Sequence, residues 1–176
     1  MGKVKAKKKF GQHFLNDAGI AEKIVNSLQT KEVEHVIELG PGMGVLSNFI
    51  LQKSYKSSFI EIDNEAIDYL EKNFPEIKGK IIDSDFLKVD LDANFKGNLA
   101  IIGNFPYNIS SQILFRMLDH KERVLELVGM FQKEVANRVV AGPGSKVYGI
   151  ISVFIQAYYT TEYLFTLGPE KFSPPP

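Results

Sequence analysis

The run Val36-Ile37-Glu38-Leu39-Gly40-Pro41-Gly42-Met43-Gly44-Val45-Leu46-Ser47 constrains the fold of this 176-residue chain more than any other segment. Three apolar residues around one acid read as a buried strand. The alternate glycines read as a tight turn that lets a ligand approach the backbone, and Val45 to Leu51 as the start of a helix. The pattern repeats downstream: Ser58 to Asp63 and Lys80 to Phe86 are strands ending in carboxylates, followed by strands at Leu99 to Gly103 and Leu125 to Phe131. Helical spacing falls around them. It appears at Ile20, Ile24, Val25 and Leu28 behind an Asn16 cap, and at Ile67, Leu70 and Phe74 between an Asn64 cap and Pro75. It recurs at Ile113, Leu114 and Leu118, capped by Ser110 or Ser111, at Glu134 to Val140, and from Val147 to Tyr159. A last strand is expected near Thr161 to Leu167. Alternating strands and helices predict an α/β fold, a mainly parallel sheet flanked by helices, with ligands along the carboxyl ends of the strands.

The residues at those strand ends suggest which ligand. A dinucleotide loop needs its third glycine one position later than Gly44, so a pyrophosphate fits this turn poorly. Glu38 suits an ammonium group instead. A cofactor with a cationic amino-acid part and an adenosine satisfies both conditions, which points to S-adenosylmethionine cradled by Gly40, Gly42 and Gly44. Glu61 is then the acceptor for the ribose hydroxyls, with Asp63 as second candidate; Asp85 accepts from the adenine amine and Phe86 lies near its ring. An acid after a strand also caps helices or forms turns, and that reading stands beside this one. At the fourth strand end, Asn104-Phe105-Pro106-Tyr107 offers another kind of site. The Asn104 oxygen and a carbonyl preceding or belonging to Pro106 can accept both hydrogens of an exocyclic amine, while Tyr107 gives a flat surface for a base. A plain proline turn with a packing tyrosine is the alternative.

Composition removes several classes of chemistry. Without cysteine there is no thiolate nucleophile, disulfide or zinc–cysteine cluster, and His13, His35 and His120 are too scattered to suggest a metal site. The lysine-rich start lacks the apolar stretch of a signal peptide, and the longest apolar stretch, Tyr148 to Tyr159, is too short for a bilayer. A cytoplasmic monomer without membrane or metal partners is the expectation. Net charge is zero, but Lys3, Lys5, Lys7, Lys8 and Lys9 form a basic arm, about residues 1–10, running into Phe10-Gly11-Gln12-His13-Phe14-Leu15. Such an arm can track the phosphates of a nucleic acid or remain a solvated tail. Lys7, Lys8, Lys9 and Arg116 are the candidate phosphate contacts. The closing Pro174-Pro175-Pro176 suggests a fragment of a longer chain.

Taken in order, Gly11-Gln12-His13-Phe14-Leu15, Glu38 to Gly44, Glu61-Ile62-Asp63, Asp83 to Leu87, Asn104 to Ser111 and Phe172 to Pro176 resemble the motifs of the ribosomal RNA adenine dimethyltransferase family, bacterial small-subunit branch. The resemblance implies a Rossmann-like class I S-adenosylmethionine-dependent methyltransferase fold, with residues 1–176 as the catalytic domain and a final strand and helical domain missing. It implies cofactor contacts at Gln12, His13, Leu15, Gly40, Glu61, Asp85 and Asn104, to which Ile62 and Phe86, beside two of them in the chain, are added as candidates. The target adenine would lie between Tyr107 and Phe172, with Asn104 and Pro106 accepting from its amine. The implied partner is small-subunit (16S) ribosomal RNA in the assembling 30S subunit, where two adjacent adenosines near the 3′ end would be N6,N6-dimethylated. Two positions depart from the family: Phe105 replaces the usual leucine, and His13 a frequent asparagine. Three other readings are weighed: the large-subunit (23S) antibiotic-resistance branch, a non-catalytic RNA-binding assembly factor, and a nucleotide-dependent reductase. Ser111 and the proline run look more like the small-subunit branch.

Overall fold

The computed structural model describes residues 4, 6, 7 and 11–176. At its centre is a five-stranded, wholly parallel sheet of β2 (His35–Leu39), β3 (Lys56–Glu61), β4 (Ile81–Asp83), β5 (Leu99–Asn104) and β6 (Val124–Met130), ordered β4-β3-β2-β5-β6. The chain winds outward from β2 through β3 to β4, then returns to place β5 on the other side of β2. That reversal opens a crevice at the carboxyl ends of β2 and β5, the place where open α/β sheets take their ligands. Register makes the crevice level: Leu39 stands opposite Ile60 on one side and Gly103 on the other. Gly40, Glu61 and Asn104, each the next residue along, therefore emerge side by side.

The continuous apolar runs of the sequence follow from burial on both faces of the sheet. In β5, Leu99 and Ile101 join one core with Ile37, Leu39, Ile113 and Met117, while Ala100 and Ile102 join the other with Val36, Ile24, Phe59 and Leu70. Covering helices include α1 (Ala18–Asn26), α2 (Ser47–Ile50) and α3 (Asn64–Asn73), followed by α4 (Leu91–Asn94), α5 (Ser110–Asp119), α6 (Lys133–Val140) and α7 (Ile150–Gln156). Helix α4 has no counterpart among the expected elements.

Several boundaries differ from expectation. The caps are Asp17 and Asp63, in place of Asn16 and Asn64: each carboxylate accepts an N–H from the first turn, which a charged acceptor at a helix N-terminus does better than an amide. Neither Ser110 nor Ser111 caps α5; the Ser110 hydroxyl donates back to the Pro106 carbonyl at 3.0 Å. Helix α7 starts only at Ile150, after an extended Gly149. Residues 161–167 form no strand. A groove of about 990 Å³ lies between them and β6, so this segment finds no ladder partner while Phe165 and Leu167 pack onto the core. A two-stranded antiparallel ribbon, β1 (Phe14–Leu15) with β7 (Phe172–Ser173), brings the two ends of the chain together beside the crevice.

Candidate active site

Below the crevice is a narrow cleft of about 100 Å³ whose walls come from five separate segments. Gly11 to Phe14 cross it as a strap; Leu39, Gly40 and Gly42 follow β2; Ile60, Glu61 and Ile62 end β3; Ser84, Asp85 and Phe86 follow β4; and Asn104 to Tyr107 follow β5. The fold thus gathers Gln12, His13, Gly40, Gly42, Glu61, Ile62, Asp85, Phe86, Asn104, Pro106 and Tyr107 into one space.

The glycine turn is held to the next strand by Glu61. Its carboxylate accepts three backbone N–H bonds, from Gly42 at 3.1 Å, Ile62 at 2.9 Å and Asp63 at 3.0 Å. Burial nevertheless raises its pKa above the ordinary value. A carboxylate offers about four acceptor positions, so roughly one remains for a ligand hydroxyl. Gly40 and Gly44 both adopt left-handed backbone, but their surroundings differ. A Cβ on Gly40 meets nothing within 4 Å, whereas one on Gly44 collides with the Phe74 ring at 2.4 Å. Gly44 therefore serves packing of the turn on α3 and does not line the cleft.

Asn104 has a fixed orientation. Its Nδ2 donates to the His13 carbonyl at 2.5 Å, so its Oδ1 is left to accept. The Pro106 carbonyl, the other expected acceptor, already takes the Ile109 N–H at 3.2 Å and the Ser110 hydroxyl. The Phe105 carbonyl, which precedes the proline, has no donor among the described residues. Tyr107 is half-buried, its hydroxyl pKa raised by desolvation, and its ring stacks on the His13 imidazole at 5.2 Å and 24°. His13 Nδ1 also lies 2.9 Å from the Pro174 carbonyl. The backbone carbonyl of His13 makes the Asn104 contact, so an imidazole at this position leaves that contact intact. Phe105 is buried against Phe131, with its ring closely packed where Gly103 and Gly129 lack side chains.

Other expected site residues stand elsewhere. Glu38 points into the opposite core, fully buried, with the Ser47 hydroxyl donating to it at 2.6 Å. Desolvation first, then the Glu61 charge, push its pKa up to about 8 against the Ser47 bond. It cannot face an ammonium in the cleft, because strand alternation puts it on the face of Val36 while Leu39 reaches the cleft. Leu15 is buried in that same core. Phe172 is also largely buried, but it borders the outer groove beside β6 together with Tyr107. Asp63 does not line the cleft; it binds Lys7 Nζ at 2.5 Å and Gln12 Nε2 at 3.2 Å. Lys7 also donates its backbone N–H to Gln12 and pairs with Glu65, so it anchors the strap where a phosphate contact was expected. Arg116 is likewise turned inward, to the Val89 carbonyl. Lys8 and Lys9 lie outside the described residues.

His13, Asn104 and Tyr107 border both the cleft and the outer groove. They form a partition with a narrow space on one side and a wide one on the other. Sequence reasoning missed the strap residues Gly11 and Phe14 and the floor residues Leu39, Ile60 and Ile113. The alternation of β2 carried a signal for Leu39, since a strand that buries Glu38 on one face presents Leu39 on the other. No helix among the described residues is long and apolar enough to cross a membrane.

Comparison with known proteins gives a consistent pattern. The model of the family described as ribosomal RNA adenine dimethylase matches residues 3–176. The ribosomal RNA small subunit methyltransferase A of Parabacteroides distasonis is 54% identical over 98% of this chain, which spans 65% of that protein. The protein of the same name from Flavobacterium johnsoniae is 53% identical over the whole chain and 68% of its own length. Among solved structures, a dimethyladenosine transferase from Plasmodium falciparum superposes with a TM-score of 0.82 at 28% identity, covering 93% of this chain and 59% of that one. The 23S rRNA methyltransferase ErmE shares the fold, with a TM-score of 0.78 at 22% identity over 93% of this chain and 65% of its own. The chain thus spans about two thirds of the curated relatives it matches.

Proposed function

This chain belongs to the ribosomal RNA adenine dimethylase family, and on that premise we propose that it transfers methyl groups from S-adenosylmethionine to the exocyclic amine of adenosines in small-subunit ribosomal RNA. One observation supports this above the rest: His13, Asn104 and Tyr107 border two spaces at once, as the boundary between a methyl donor and an acceptor base must. The cleft fits the donor in kind. Gly40 leaves open the room that a Cβ would fill, Glu61 keeps an acceptor position, and Asp85 and Phe86 stand at the end of the next strand. Gln12, Gly40, Gly42, Glu61, Ile62, Asp85 and Phe86 would hold it. In size the cleft, about 100 Å³, is below the ~300 Å³ of an ordinary ligand pocket, so admitting the donor requires one of its walls to move.

When bound, S-adenosylmethionine supplies an electrophilic methyl carbon on a sulfonium. The residues do the rest by orientation. The lone pair of an adenine amine is delocalised into the ring, which makes it a poor nucleophile. Asn104 Oδ1 and the Phe105 carbonyl accept its two hydrogens and favour a more tetrahedral nitrogen. Tyr107 supports the base plane from the groove side, with Phe172 on the same wall. Holding the two reactants in line provides most of the acceleration, and an aromatic rim suits a charge that disperses in the transition state. Transfer would form an N–C bond at the expense of the donor's S–C bond and leave the nitrogen with a surplus proton, which solvent would take. No side chain with a tuned pKa is required. The base leaves its stack before it enters.

Titration with S-adenosylmethionine and with NAD tests the donor, and binding of NAD alone would overturn the proposal. Labelled methyl transfer to assembling small subunits, compared with naked large-subunit RNA, tests the acceptor. Label on the large-subunit RNA alone would move the assignment to the antibiotic-resistance branch.

A further inference from the structure

We propose that Arg116 is a positioning residue for the adenine end of the donor cleft, acting on Phe86 from behind; this rests on the function proposed above. Arg116 is in the second half of α5, the helix that begins three residues after Tyr107. Its guanidinium carbon lies 5.7 Å from the centre of the Phe86 ring, and its Nη2 donates to the Val89 carbonyl. Phe86 lines the cleft and Arg116 does not, so the cation meets the ring from the side away from the ligand. Segment 85–89 is itself a closed turn: the Asp85 carboxylate accepts the Leu87 N–H at 3.0 Å, and the Asp85 carbonyl accepts the Lys88 and Val89 N–H groups. Arg116 binds the far end of that turn. One side chain therefore ties the wall carrying Asp85 and Phe86 to the helix behind the Asn104 corner.

The guanidinium is held there at a cost. Its Nε is buried with no hydrogen-bond partner among the described residues, and an unsatisfied buried donor is unfavourable. A neutral side chain of similar length would fill the same space without that cost. What it would lack is the planar cation, which attracts the face of an aromatic ring and donates in a fixed direction. Lysine keeps the charge but loses the plane and the fork. The segment thus has two points of attachment to α5, one to its backbone and one to the ring that would stack beside the ligand.

Calorimetric titration of S-adenosylmethionine into the wild type and the variants Arg116→Met, Arg116→Lys, Phe86→Leu and Phe86→Leu/Arg116→Met tests this. The wild type binds, and Arg116→Met raises Kd about tenfold. Arg116→Lys raises it by about threefold or more, which serves if the methionine variant does not fold. In the Phe86→Leu background, Arg116→Met raises Kd by no more than about threefold, because the ring attachment is already gone and only the Val89 attachment is then lost. A residue that merely stabilised the fold would give the same loss in both backgrounds. Equal losses, or an unchanged Kd in both single Arg116 variants, overturn the inference while leaving the donor assignment intact. Failure of the wild type to bind overturns both.

Discussion

Gly40 and Gly44 look equivalent in the sequence, yet one lines the cleft and the other packs on Phe74, and a pair of alanine substitutions separates them. Both have positive φ, +63° and +76°, so each alanine carries the left-handed penalty of roughly 1–2 kcal/mol. At Gly40 that is the whole structural cost, because no atom lies within 4 Å of the new methyl. At Gly44 the methyl stands 2.4 Å and 2.8 Å from Phe74 ring carbons and 3.0 Å from Leu70 Cδ2. Overpacking of this kind adds about 1–3 kcal/mol, for a total near 2–5 kcal/mol. At about 2–4 °C per kcal/mol for a chain of this size, Gly40→Ala melts about 2–8 °C below wild type and Gly44→Ala about 4–20 °C below, with Gly44→Ala the lower of the two. Affinity runs the other way. Gly40→Ala places its methyl where the donor approaches the backbone and weakens S-adenosylmethionine binding about tenfold or more. Gly44→Ala, titrated below its melting temperature, binds within about threefold of wild type. Thermal melts paired with calorimetry read both quantities. Loss of affinity in folded Gly44→Ala together with full affinity in Gly40→Ala would refute the assignment of the cleft.

Two further substitutions test the surroundings. The raised pKa of Glu38 means that its folded-state contribution is intact below the unfolded value near 4.5 and is lost as pH rises toward about 8. Wild-type stability in urea therefore falls between pH 5 and pH 9 relative to Glu38→Gln, by on the order of a few kcal/mol; parallel pH profiles would contradict this. Lys7→Met releases the strap from Asp63 and speeds dissociation of S-adenosylmethionine at low salt. Because the cation of this ion pair is partly exposed, the difference between the two proteins shrinks in 0.5 M salt, an illustrative value well above ~0.1 M, where screening is already strong. Stopped-flow displacement measures the rate, and a salt-independent difference would show that Lys7 acts otherwise.

The sheet was legible because parallel strands buried on both faces must be apolar throughout, and because glycine, carboxylate and amide mark their ends. Val36 to Leu39 and Leu99 to Gly103 needed no partner to be recognised. What the sequence concealed depends on contacts distant in the chain. Nothing local distinguishes Lys7 from its neighbours, and its pairing with Asp63 spans 56 residues. Arg116 reads as a surface cation until the turn at Val89 is folded against it. The cap positions were missed by one residue because asparagine and aspartate stand adjacent at both, and only the folded turn shows which side chain reaches an N–H. Residues 161–167 alternate like a strand, but a strand also requires an edge within reach, and the groove beside β6 separates them. Charge and a place at a strand end suggest Glu38 as a ligand contact, but the two-residue period of β2 directs it to the opposite face.

The most direct measurement is transfer of a labelled methyl group from S-adenosylmethionine to adenosines of assembling small subunits, run side by side with wild type and Asn104→Ala at equal donor saturation. Wild type forms dimethyladenosine. The variant binds the donor yet transfers at least about 100-fold more slowly, the scale on which a lost contact at a reacting group is felt. Comparable rates from the two proteins would mean that the Asn104 corner does not hold the acceptor.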